Sequence, residues 1–190
     1  MDSVNICNLA LNMIGIPPIA SFSENNNNAK LCERFYPVMR DKVLRDHTWS
    51  FATYAMELPQ LAEKPFDPNY SFAFQLPGDL LRIVELIPRE PYRKVRNMIF
   101  ANVPVTCVYI KKVEDPELFD VTFVEALQYL LAAEIGLANT KDGNLIAYYR
   151  QQYEKSLAIA RSIDSQENFY NYQQKTGETK SSFIASRFQG

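Results

Sequence analysis

The hydrophobic pattern of this chain changes period twice, and that alternation constrains the fold more than any single motif. Val4, Cys7, Leu11 and Ile14 recur at helical spacing. Leu31, Cys32, Phe35, Met39 and Val43 do so again, with Lys30, Glu33, Arg34, Arg40, Asp41, Lys42 and Arg45 on the remaining faces. From Trp49 the character changes to short runs rich in β-branched and aromatic residues: SFATYAMEL, YSFAFQL, LLRIVELI, PYRKV, NMIFAN and VTCVYIKKV. Pro, Gly, Asn and Asp separate them, so they read as strands. After Asp115–Pro116 the helical period returns, first in Phe123, Leu127, Leu130, Leu131 and Ile135. Leu145, Tyr148, Tyr149, Tyr153, Leu157 and Ala160 then form a second broad apolar face.

These patterns predict helices over residues 3–14, 28–46, 119–139 and 145–163. Asp2 or Ser3 suits the first N-cap, and Gly15 stands where a helix-ending glycine belongs. Pro37 is expected to kink or divide the second helix, because it removes a backbone donor and crowds the preceding turn. RKVRNMIFAN predicts a hairpin turning near Arg96–Asn97. The last two helices are joined only by Thr140–Asn144, so they should pack antiparallel. The expected fold is α+β: a four-helix bundle with a small, mainly antiparallel β domain inserted between its two halves. Residues 1–48 supply the N-terminal helices, 49–116 the β insertion and 117–167 the C-terminal helix pair. Residues 168–190 are polar with isolated aromatics, and are expected to form an extended tail that orders on a partner.

Composition narrows the function. The chain has 190 residues, 47% of them hydrophobic, enough for one domain to build a core without disulfides or metals. Its three cysteines, Cys7, Cys32 and Cys107, show no CxxC spacing and should be buried, reduced thiols. The N-terminus lacks the basic start of a signal peptide, and the apolar stretch 126–138 reads as too short and too polar to span a bilayer. Glycine is scarce, 6 residues, and no P-loop, GxGxxG, GxSxG or HExxH occurs. The single histidine, His47, falls at a helix C-terminus, where it suits the helix dipole. Glu114, Asp115 and Glu117 precede a helix, where acidic side chains favour its N-terminus. No catalytic residue, metal site or cofactor is expected, and the chain does not read as an enzyme.

Two groups of residues read instead as binding elements. Arg89, Arg93, Lys94 and Arg96 form a basic cluster broken only by Glu90. Repeated around a ring, this patch would build a field strong enough to meet a partner or passing DNA without reading sequence. In the tail, Phe169, Tyr170, Tyr172, Phe183, Ile184 and Phe188 are spaced as anchors that order on a partner. Trp49, at the change from helix to strand, reads as a packing anchor.

Four separated segments carry a resemblance. ALNMIGIPPIASFSE, NAKLCERFYPVMRDKVLRDHTWSFAT, YSFAFQLPGDLLRIVEL and the helical pair beginning DVTFVEALQYLLAAEIG occur in this order. Within them, Arg40-Asp41, Arg45, Trp49, Phe51, Pro77 and Asp79 are the most specific positions. Together they resemble the tail tubular protein A family of short-tailed, T7-like bacteriophages. Thr48 stands where the family pattern has proline. The likeness covers most of residues 9–167 and leaves out the basic hairpin and the tail. It implies a virion structural protein assembled in the bacterial host cytoplasm. Such a protein forms a ring, commonly a dodecamer, that joins the portal to the tail nozzle, supports tail fibres and continues the DNA channel. Two other classes stay open: another phage head-completion or connector protein, and a small phage-encoded regulator.

Overall fold

A computed structural model describes residues 1–139 and 142–176, with side chains described through residue 163. The fold is α+β, with helices α1 (Ser3–Met13), α2 (Asn27–Asp46), α3 (Val121–Asn139) and α4 (Gly143–Thr176). Between α2 and α3 run β1 (Thr53–Glu57), β2 (Phe72–Gln75), β3 (Leu80–Ile87), β4 (Arg93–Val95), β5 (Met98–Ala101) and β6 (Thr106–Lys111). They form two antiparallel sheets, ordered β1-β6-β3 and β2-β5-β4.

Local chemistry sets the helix ends. The Asp2 carboxylate accepts from the Asn5 N–H at 2.7 Å and caps α1. Beyond α1, Gly15 takes the left-handed conformation at φ 69°. The Asn8 amide then bonds both the N–H and the C=O of Ile19, each at 2.8 Å, and holds the Pro17–Pro18 exit against the helix. Asn26 caps α2 by accepting from the Ala29 N–H at 2.8 Å. Pro37 does not divide α2, which runs unbroken through it; packing of the helix's apolar face outweighs the one lost backbone donor. Pro116–Leu118 forms a short 3-10 turn, so α3 starts at Val121 rather than 119, with Asp120 accepting from the Thr122 N–H at 2.7 Å. Helix α4 runs to Thr176, and the backbone of 168–176, expected to begin an extended tail, is helical. No Gly or Pro occurs between Asn144 and Thr176 to stop it.

The sequence-predicted hairpin forms. Val95 pairs with Met98, leaving Arg96–Asn97 as the turn, and Arg96 takes φ 53°.

Two cores organise the molecule. The first joins all four helices: Ile6 and Leu11 from α1, Val43 and Leu44 from α2, Leu127, Leu131 and Ile135 from α3, Tyr149 and Leu157 from α4. Trp49, Ile110 and Val113 belong to it too. The second joins the two sheets, with Leu86, Cys107 and Tyr109 meeting Phe74, Ile99 and Ala101. Strand β6 serves both, because its side chains alternate: Cys107 and Tyr109 face the second sheet while Ile110 enters the helical core. Each fully buried Leu, Ile or Val contributes about 1.5–3 kcal/mol, so the shared strand couples the two cores.

Helix α3 packs against the other three helices. At 19 residues it is long and apolar enough to cross a membrane by length and composition, longer than the 126–138 stretch suggested. Its apolarity has a local cause: Phe123, Leu127, Leu131 and Ile135 are fully buried within the first core.

Candidate protein-interaction surface

Six of the seven motif positions lie around the join between α2 and the sheet β1-β6-β3, and Pro77 stands in the turn that leads into it. Arg40, expected on a polar helix face, is only 4% exposed. Its guanidinium reaches Asp41 at 2.8 Å and Glu114 at 3.3 Å. Glu114 also meets Lys112 at 2.7 Å, and these cations, Lys112 first, hold its carboxyl below the usual range. The Lys112 N–H donates to the Asp79 carbonyl at 2.8 Å, at the start of β3. Two residues on, the Leu81 carbonyl accepts from Arg45 of α2 at 2.6 Å. The chain of contacts thus leaves α2 at Arg40 and returns to it at Arg45. Pro77 sits in the turn before β3, its carbonyl accepting from the Leu80 N–H at 3.3 Å. Asp79 accepts from the Tyr109 hydroxyl at 3.4 Å and lies 3.5 Å from the Lys111 ammonium.

Trp49 anchors the same join. Its indole N–H donates to the Val43 carbonyl at 2.8 Å. Its ring meets His47 edge-on at 4.7 Å and Phe123 at 5.2 Å, and Phe51 packs on Phe123 at 5.3 Å. His47 is buried against this indole at the α2 C-terminus. Arg82 of β3 donates to the Thr48 hydroxyl at 3.0 Å, so Thr48 supplies an acceptor that a proline would lack.

The basic cluster does not act as one patch. Arg89 pairs with Glu85 at 2.8 Å, and Arg93 with Asp67 at 2.6 Å while lying over the Phe66 ring. Among the described residues, Lys94 and Arg96 have no ion-pair partner and are exposed at the hairpin tip. The expected local charge is therefore partly neutralised by carboxylates on neighbouring segments, one of them, Asp67, distant in sequence.

A second surface escaped sequence reading. Trp49, Ser50, Asp120, Val121, Thr122, Ala160 and Ile163 line a groove of about 250 Å³. Val121 is 81% exposed and Ile163 41%. The sequence signal was present in Val121, an apolar residue at the start of a helix. Helix α4 continues from this groove, and Phe169, Tyr170 and Tyr172 fall within its helical backbone. Phe183, Ile184 and Phe188 lie outside the described residues.

Among the described residues no group of three or more His, Cys, Asp or Glu side chains is placed to hold a metal ion. Asp115 instead caps the 3-10 turn by accepting from the Glu117 N–H at 3.0 Å. All three cysteines are free and buried. Burial pushes the Cys107 thiol up to about 11. No protein-family model matches the sequence, and no curated protein matches it.

Proposed function

We propose that this chain is a virion structural protein: the adaptor ring that joins a phage portal to the tail nozzle and continues the DNA ejection channel. The observation that supports this reading best is the convergence of Arg40, Asp41, Arg45, Trp49, Phe51 and Asp79 at one helix–sheet join, with Pro77 in the turn before it. These are the positions that carry the resemblance to the tail tubular protein A family. They come from separate segments of the chain, yet they form a connected structural unit built of packing, ion pairs and backbone bonds. In this reading the helices form a bundle, residues 49–116 are its β insertion, and the ring is a dodecamer. Lys94 and Arg96 at the hairpin tip face the channel or a neighbour, where their charge meets passing DNA without reading sequence. The groove beside Val121 and Ile163, with the chain beyond it, meets the portal or the next subunit; nozzle and tail fibres attach on the remaining faces.

The test is direct. Purified protein is mixed with the portal protein of the same phage and imaged by negative stain. Portal rings should gain a second ring beneath them. Truncation after Ile163 should leave a folded protein that binds portal less well. Portal rings that stay bare at saturating protein would sink the adaptor reading.

A further inference from the structure

Among the described residues there are four sheet edges, and three are protected. Strand β3 carries two register shifts against β6, and bulges of this kind discourage added strands. The edge of β2 is covered by residues 59–61, through Leu61 N–H to Ala73 at 2.8 Å and Gln75 N–H to Pro59 at 2.9 Å. Strand β4 has three residues, two of them Arg93 and Lys94. Strand β1 is the least defended: it carries one charge, Glu57, at its end, and only its first N–H, that of Thr53, is tied back, to Ser50. It pairs with β6 without a register shift over Thr53–Glu57, and four of its five residues are exposed.

The ladder determines which backbone groups face out. The Leu58 N–H donates to the Val105 carbonyl at 2.9 Å. In an antiparallel pair bonded and non-bonded positions alternate. Met56/Cys107 and Tyr54/Tyr109 are therefore the bonded pairs of β1 and β6; Ala55 and Glu57 turn their N–H and C=O groups to the free edge, and Thr53 turns only its C=O there, because its N–H donates to the Ser50 carbonyl.

We propose that β1 binds β1 of a second copy of this chain, antiparallel, about a two-fold axis through Ala55. The side chains favour this occupant because the strand is complementary to itself. Ala55 exchanges both bonds with Ala55 of the partner subunit, and the Thr53 carbonyl accepts from the N–H of Glu57 of the partner subunit, since the Thr53 N–H is held by Ser50. At the axis only two methyl groups meet. The sole charge on the strand, Glu57, is carried to opposite ends of the pair, opposite a neutral threonine, so no like charges face each other. On the other face Tyr54, 41% exposed, comes opposite Met56 of the partner subunit, and Met56 itself is 38% exposed. Thioether–aromatic contacts of this kind are favourable, and the pairing covers both apolar side chains twice. The two three-stranded sheets become one continuous six-stranded sheet, in the order β3-β6-β1 and its mirror. A five-residue strand is about 17 Å long, and its pairing buries well under the roughly 1,200 Å² of a stable interface. The dimer is therefore concentration-dependent. It stands apart from the adaptor reading and holds for any function of the chain.

The experiment is cysteine cross-linking of the full chain, read on a non-reducing gel, beside sedimentation over a concentration series. Ala55→Cys places two thiols at a bonded pair with Cα atoms about 5.5 Å apart, within disulfide reach. Thr53→Cys places its two copies about 14 Å apart, out of reach. Under mild oxidation Ala55→Cys should give a dominant dimer band and Thr53→Cys only background. Wild-type protein should give none, since Cys7, Cys32 and Cys107 are buried. A mixture of Thr53→Cys and Glu57→Cys proteins should cross-link again. Ala55→Pro removes an outward N–H, not a ladder bond, and should shift sedimentation to the monomer. Absence of an Ala55→Cys dimer, or equal yields at positions 53 and 55, overturns the proposal, as does a dimer of wild-type chain that Ala55→Pro leaves unchanged.

Discussion

The Tyr153 hydroxyl on α4 donates to the Asp46 carboxylate at the end of α2, 2.6 Å away across 107 residues of sequence. Lys42 pairs with the same carboxylate and lies 5.3 Å over the Tyr153 ring. Arg161, two turns further along α4, donates to the Asp46 carbonyl at 3.1 Å. The last helix is thus closed on the second through one residue. Burial, and then the Asp46 hydrogen bond, push the Tyr153 phenol up, so it remains a neutral donor. Tyr153→Phe removes only this hydroxyl. It should cost about 1–2 kcal/mol in urea unfolding, below the full value of a charged hydrogen bond because Asp46 keeps Lys42 and is partly solvated. An unchanged midpoint would show that water replaces the hydroxyl at no cost.

The Arg40 site makes a prediction about order. Its side chain is 5% exposed, whereas Asp41 is 29% and Glu114 65% exposed. Removing a partner leaves the guanidinium buried with less compensation, and that stranded charge dominates the cost. The shorter, more buried partner should matter more. Asp41→Asn is expected to cost about 1–3 kcal/mol, and Glu114→Gln clearly less, because Glu114 is mostly in water and its pairing is screened. Denaturant midpoints of the two variants decide it; the reverse order would make Glu114 the principal counter-ion.

The Asp67–Arg93 pair links stability to pH. Arg93, and then the Asn69 N–H, hold the Asp67 carboxyl below the usual carboxylate range. The folded state therefore binds this proton more weakly than the unfolded chain, whose aspartates titrate near about 3.9. The contribution is complete above roughly pH 5 and is lost as pH falls through the depressed folded value. Asp67→Asn should be less stable than wild type at neutral pH, with the gap narrowing as pH falls below about 4 and closing only below the depressed folded value. Urea midpoints across this range provide the check. A gap of constant size would mean that Asp67 acts through its hydrogen bonds to Asn69 and not through its charge.

Hydrophobic pattern and turn residues located the four helices and six strands among the described residues; most carry an apolar stripe or a β-branched run, and Arg93–Val95 was placed by the turn beside it. The turn at Arg96–Asn97 was legible from the residues on either side of it. Three features were not. Arg40 falls in a helix among other charged residues, and nothing local tells which of Arg34, Arg40 and Arg45 is buried; its nearer counter-ion, Asp41, is the next residue, but its contact with Glu114, 74 residues away, is one that no local pattern shows. Arg93 looked like part of a free basic cluster until Asp67 was placed beside it, 26 residues earlier. The division of β6 between two cores follows from strand alternation, but which core each face meets depends on the packing of the helices. Sequence patterns report what a segment does with its own neighbours, and all three features depend on long-range partners.

Arg96 supplies a test of stored backbone strain at the hairpin tip. It holds φ 53°, a region in which an L side chain costs about 1–2 kcal/mol, while glycine enters it freely. Arg96→Gly relieves that strain and adds some conformational freedom to the unfolded chain, which offsets part of the gain. The net effect should be a stabilisation of about 0.5–1 kcal/mol, seen as a higher thermal midpoint. Arg96→Ala separates backbone from charge: it removes the same cation but keeps the Cβ that causes the strain, so it should leave the midpoint near wild type. If alanine stabilises as much as glycine, the benefit comes from relieving repulsion with Lys94, and the left-handed turn carries no measurable strain.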